Sequence, residues 1–293
     1  MLKSWASKLM ASIRISEGIF PIDRFGKMGR VHSVFQHSFN IKVGKQLLNI
    51  SNHPSYLSGF GIYLPDSLFQ EIYPFVQQGN IVKIVKNEVT IYSLAGLKSI
   101  LLKDADVISL RLAELIVQPM QLKQLEKQLT MQHLEKAIGL EQDTKTTAIF
   151  EMLRGDETLQ SSTDWAEAVI HLVGRGKGLT PSGDDILTAY LSILSMVGDP
   201  QAEALASALT DQELSTTDIS KAYIISSIHG YVNSLVYQLF LDLQNQESAA
   251  VIERAIENIR AIGHSSGTDL CFGLLLGLQK INRNEEKSWR IPQ

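Results

Sequence analysis

Ser182-Gly183-Asp184-Asp185 and Ser266-Gly267-Thr268-Asp269 repeat one short polar pattern 84 positions apart, and each leads into an apolar run. A hydroxyl, a glycine and a carboxylate at the start of a helix can do chemistry. The first N–H groups of a helix have no intrahelical acceptor, and the helix dipole favours negative charge there. Glycine lets a ligand come close to those groups. The first copy follows Gly174-Arg175-Gly176-Lys177-Gly178-Leu179-Thr180-Pro181, and the second follows Ile262-Gly263-His264-Ser265. Gly176, Lys177 and Gly178, with Thr180 and Ser182 at the turn, suit a phosphate or carboxylate. Gly183, Ser266 and Gly267 are expected to complete that binding surface. Asp184, Asp185 and Asp269 would orient an amide nitrogen, and His264 would shuttle a proton near neutrality.

A plainer reading competes. Ser182 and Ser266 each precede an acid by three residues, which is the spacing of a capping box. On that reading both segments are only helix starts. Three features favour a ligand: glycine stands where Pro, Glu or Ala would cost less, Asp184 exceeds what a cap needs, and a glycine-rich basic loop precedes the first turn. If the ligand reading holds, Asp184→Ala should abolish activity and change the melting temperature little. At the same 84-residue offset, Ala189 corresponds to Gly273, Leu191 to Leu275 and Leu194 to Leu278. Small residues at one equivalent point let two helices cross closely, which would bring the two turns together around one polar pocket.

Several chemistries are excluded. Lys177 precedes Thr180 and Ser182 at the wrong spacing for a P-loop, and no GxSxG or HExxH motif occurs. The histidines lack metal-ligand spacing and no cysteine pair exists, so no metal site is assigned. No cofactor is assigned; Mg²⁺ held by Asp184, Asp185 or Asp269 with a phosphate is the one metal chemistry left open.

The elements that must position these residues divide by period. Arg30–Leu94 reads as short strands, including a hairpin of Ile81–Val85 and Val89–Leu94 around Lys86-Asn87-Glu88. Beyond Gln118 the apolar spacing becomes helical, over Met120–Ile138, Thr144–Leu153, Thr163–Val173, Pro181–Val197, Pro200–Leu209, Asp218–Leu243, Ser248–Ile262 and Ser266–Ile281. His229 is expected buried and hydrogen-bonded inside the sixth of these. The fold class is α+β: an N-terminal strand-rich barrel or sandwich, residues 1–112, packed on a C-terminal α-helical bundle, residues 113–293.

The chain has 293 residues, 44% of them hydrophobic, and a formal net charge of −4. That balance supports a packed core and argues against nucleic acid or an anionic membrane as partner. No apolar run is long enough to span a bilayer, and Met1–Arg14 reads as a docking helix rather than a secretory leader. The single cysteine, Cys271, lies in an apolar helix and is expected to be a buried structural thiol. These features predict a cytoplasmic protein.

The residues Gly176-Lys177-Gly178-Leu179-Thr180-Pro181-Ser182-Gly183-Asp184-Asp185 and Gly263-His264-Ser265-Ser266-Gly267-Thr268-Asp269 resemble motifs of the AllH family. Gly29-Arg30-Val31-His32-Ser33-Val34-Phe35 looks like that family's early motif. Lys177 stands where members often carry Pro, and Ser265 where Thr is usual, so the cradle here gains a cation. The resemblance implies a subunit of oxamate carbamoyltransferase in allantoin catabolism, moving a carbamoyl group between oxamate and phosphate and giving carbamoyl phosphate. It implies partners as well: a small anionic substrate and the other subunits of the transferase. The transcarbamoylase Ser-Thr-Arg-Thr loop is absent, so any phosphate site is of another design. The rival function is a non-catalytic metabolite-binding or scaffold subunit of an enzyme complex. A Mg²⁺-dependent hydrolase ranks behind both, because only one turn has adjacent acids.

Overall fold

A computed structural model describes residues 12–155 and 162–289. Most of the docking helix expected at Met1–Arg14 therefore falls outside the described residues. The chain divides into two compact units, Met1–Leu110 and Arg111–Gln293.

The first unit is a single nine-stranded sheet that curls into a half-barrel. Its strands are β1 Arg14–Ser16, β2 Met28–Phe35, β3 Ser38–Val43, β4 Gln46–Ser51, β5 Gly61–Tyr63, β6 Ile81–Val85, β7 Glu88–Ser93, β8 Gly96–Leu101 and β9 Asp106–Ile108. They are ordered β8-β7-β6-β2-β3-β4-β5-β1-β9. Neighbours are antiparallel except for the parallel pairs β4–β5 and β1–β9. Alternation explains the buried face. Val82 and Ile84 of β6 and Val89 and Ile91 of β7 point inward, joined by Phe39, Ile41, Leu48 and Ile50. The expected hairpin forms with a two-residue turn, Lys86-Asn87, since Glu88 already pairs with Val85. Helix α1, Asp66–Ile72, buries Phe69 and Ile72. The segment resembling the early family motif runs along β2, where the β2–β3 register shifts at His32. Beyond that bulge Asn40 donates to Ser33 Oγ at 2.9 Å and accepts from Asn49 at 2.9 Å, so the buried amide is satisfied.

The second unit is helical: α2 Pro119–Met131, α3 Thr144–Leu153, α4 Ser162–Leu172, α5 Ser182–Val197, α6 Gln201–Thr210, α7 Asp218–Ile228, α8 Ser234–Gln244, α9 Ala249–Arg260 and α10 Ser266–Trp289. The expectation of one helix over Asp218–Leu243 is corrected. Gly230 adopts φ +82° and Asn233 caps a new helix by accepting from Leu235 N and Val236 N. His229, placed at that break, is exposed rather than buried, and its Nδ1 lies 2.8 Å from Ile225 O.

Helices α5 and α10 form the centre of this unit. A Cβ added to Gly273 would lie 2.3 Å from Ile186 O and 2.9 Å from Ala189 Cβ, and one on Gly277 2.8 Å from Ile193 Cβ. The Ala189–Gly273 crossing expected from the repeat is thus present, with Leu191, Leu194, Leu275 and Leu278 buried about it. Cys271 is buried in the same layer, and burial pushes its thiol up to about 12, which leaves it protonated and inert. No helix among the described residues is long and apolar enough to cross a membrane.

Candidate functional site

Because α5 and α10 cross near their starts, the two polar turns meet. Ser266 Oγ donates to Asp185 Oδ2 at 2.6 Å, and Thr180 Oγ1 lies 3.4 Å from Ser266 Oγ. Reciprocally, Ser182 lies beside Asp269. The two helices therefore exchange a serine and an aspartate, which differs from the capping boxes the spacing suggests. Pro181, not Ser182, occupies the N-cap of α5 and offers no side-chain cap.

The three aspartates have different surroundings. Asp184, 1% exposed, accepts from Gly174 N at 2.7 Å through Oδ1 and from the hydroxyls of Thr216 and Ser220 through Oδ2. Both oxygens are engaged, and the carboxylate ties the glycine loop and the segment before α7 to the start of α5. Asp185, 4% exposed, is pushed well above the usual carboxylate range by burial. Repulsion from Asp269 and Asp184 adds to that shift, while the Ser266 and Thr180 hydroxyls oppose it. Asp269, 0% exposed, is also raised by burial, against the Gly139 N–H and the side chains of Ser182 and Ser265. Gly139 N donates to its Oδ1 at 2.8 Å. Asp269 Oδ2 and Ser182 Oγ are buried and meet no partner in hydrogen-bonding geometry.

Glycine serves packing at the turns themselves. A Cβ on Gly183 would lie 2.0 Å from Leu172 O at the end of α4, and one on Gly267 2.0 Å from Ile259 O in the last turn of α9. Their N–H groups are also used internally, Gly183 N to Arg175 O and Gly267 N to Ile262 O, each at 2.9 Å. The close approach inferred from these glycines is that of the preceding helix.

The loop before α5 differs. Gly176 and Gly178 take φ +123° and +89°, conformations that favour glycine. Among the described residues, the N–H groups of Gly176, Lys177 and Gly178 meet no acceptor. Arg175 turns away from them. Its Nη1 donates to Asp143 Oδ2 at 2.9 Å and to His171 Nε2 at 2.8 Å, and Thr146 Oγ1 lies 2.9 Å from His171 Nε2. Burial, then the Arg175 charge, hold His171 below its usual range, so it accepts as a neutral ring. Asp143 is held well below the usual carboxylate range by the Thr146 N–H and hydroxyl and then by Arg175. This latch fixes the near end of the loop; on the far side Thr217 donates to Leu179 O.

The structure thus brings Thr180, Ser182, Asp185, Ser266 and Asp269 into one cluster, in which Ser182, Asp185 and Asp269 are buried and Thr180 and Ser266 half-buried. Gly176, Lys177 and Gly178 are exposed on the loop. His264 is exposed on the second turn and makes no hydrogen bond among the described residues. No group of three or more His, Cys, Asp or Glu among the described residues could hold a metal ion. Sequence reasoning missed Gly139, whose only signal is a glycine following a helical run. A Cβ there would lie 2.4 Å from Ser182 Oγ and 2.5 Å from Ser265 Oγ. It also missed Thr216, Ser220 and the Arg175 latch, whose partners are ordinary polar residues far away in the chain.

No solved structure matches the chain. Residues 10–107 match the family model for the AllH family N-terminal domain. Residues 172–278 match the model for oxamate carbamoyltransferase subunit AllH, a span that opens at the end of α4 and takes in both turns and the crossing. Matched in both units and over most of its length, the chain belongs to the AllH family, described as a subunit of oxamate carbamoyltransferase.

Proposed function

We propose that this chain serves a cytoplasmic carbamoyltransferase complex of allantoin catabolism, with other transferase subunits as partners, and binds a small anion at the loop of residues 174–181. In the direction that yields carbamoyl phosphate, a phosphate oxygen attacks the carbamoyl carbon of N-carbamoyloxamate. The carbon–oxygen bond forms, the bond to the oxamate nitrogen breaks, and that nitrogen takes up a proton. Such a transfer needs positioned reactants and donors aimed at developing negative charge. The observation that carries the reading is a loop held at both ends in which the N–H groups of Gly176, Lys177 and Gly178 are unpaired and the Lys177 side chain is exposed. Asp184 anchors that loop, Asp185 and Asp269 supply carboxyls that stay protonated to higher pH, and His264 on the facing turn is the group free to carry the proton.

The rival, a metabolite-binding subunit without chemistry, draws on a specific observation: Asp184 has no oxygen to spare, and His264 has no orienting partner among the described residues. The two part in one experiment on the assembled complex, formation of carbamoyl phosphate from N-carbamoyloxamate and phosphate. His264→Ala should lower kcat about 100-fold with phosphate affinity unchanged. An unchanged kcat would remove the catalytic reading and leave the binding one.

A further inference from the structure

The glycine loop has a second face. Gly174, Gly176 and Gly178 line a cleft of about 740 Å³ whose other wall is the segment Glu213–Thr217 and the first turn of α7, with Lys221. That volume falls in the range of small-molecule clefts. Its walls are joined to each other. A Cβ on Gly174 would lie 2.1 Å from Ser215 O, Thr217 donates to Leu179 O, and Thr216 donates to Asp184. Neither His264 nor Asp185 nor Asp269 lines this space. The cation and the acid that do, Lys221 and Glu213, make no ion pair with each other or with any other described residue. A half-buried lysine and an acid on one cleft, both unpaired, leave one charge of each sign for a ligand.

Resting on the anion-binding reading above, we infer that Lys221 and Glu213 are the specificity-determining pair of this cleft, which takes a small acid amide. Its anionic end meets Lys221 and the unpaired N–H groups of Gly176 and Gly178. Its amide N–H groups, which need an acceptor, meet the Glu213 carboxylate. A carboxylate or phosphate lacking an amide would meet only the first half and find Glu213 repulsive.

The test is calorimetric titration of the full chain with oxamate and with pyruvate, which carries a methyl in place of the amide nitrogen. Oxamate should bind about tenfold more tightly than pyruvate. Lys221→Met should weaken both by about tenfold, whereas Glu213→Ala should bring oxamate down to the affinity of pyruvate. Equal affinities in the native chain, or no effect of either substitution in a chain that keeps its melting temperature, would overturn the assignment. Should oxamate still be weakened by Gly178→Ala while ignoring Lys221→Met and Glu213→Ala, the loop site stands and this pair falls. Binding of neither probe would remove both.

Discussion

An added methyl on Gly183 would meet Leu172 O at 2.0 Å, and one on Gly267 would meet Ile259 O at the same distance. The two helical hairpins, α4–α5 and α9–α10, are equivalent there: each starts its second helix against the end of its first. They differ in the chain between. Eleven positions separate Leu172 from Gly183 and eight separate Ile259 from Gly267, so the first loop has three residues more. The longer loop holds the left-handed glycines Gly174, Gly176 and Gly178 with Lys177 among them; the shorter holds only Gly263 in that region. The N–H groups of Gly263, His264 and Ser265 in the shorter loop also meet no acceptor among the described residues. Packing and unpaired N–H groups are common to both hairpins; what the longer loop adds is the run of left-handed glycines and the lysine among them.

The largest effects test the equivalence. Gly183→Ala and Gly267→Ala should each cost about 3 kcal/mol in chemical denaturation, because backbone carbonyls must move to admit the methyl. A large cost at one and none at the other would break the comparison. The next test concerns what sets the first turn apart. Asp184→Ala strands Gly174 N and the Thr216 and Ser220 hydroxyls, and should cost about 3 kcal/mol, seen as a lower melting temperature. Thr268→Ala, at the equivalent place, should cost about 1 kcal/mol or less. These contacts reverse the expectation that Asp184→Ala spares stability, and activity lost with that variant would not identify a catalytic role.

The smallest effect is one of pH. Burial raises Asp185 and Asp269, so the folded chain holds these protons more tightly than the unfolded chain. Their contribution to stability is complete below about pH 4 and is lost as pH rises through the elevated folded-state values. Asp185→Asn removes one of the two charges, so it should raise the melting temperature by about 3 °C at neutral pH and leave it unchanged near pH 3. A uniform shift at both pH values would mean that the cluster does not sense protons.

The repeat was readable because helix crossing imposes a pattern: small residues at Ala189 and Gly273 stand at equal distances into two apolar runs. Most helices and the β6–β7 hairpin were legible for the same reason, since one buried face forces a period. The glycines of the turns were misjudged because a glycine records that something comes close without saying what; here it is a carbonyl of the preceding helix. The break between α7 and α8 was missed because both helices continue an apolar rhythm across Gly230. Gly139, Lys221 and Glu213 carry no pattern at all. Their positions follow from how distant segments meet, and local sequence does not encode that.

The serine–aspartate exchange between α5 and α10 also bears on how these segments can change over generations. Each hydroxyl stands against a carboxyl from the other copy, so a replacement in one copy is felt in its counterpart. Drift at either motif is constrained by its twin, and a viable variant is expected to alter both members of a facing pair together.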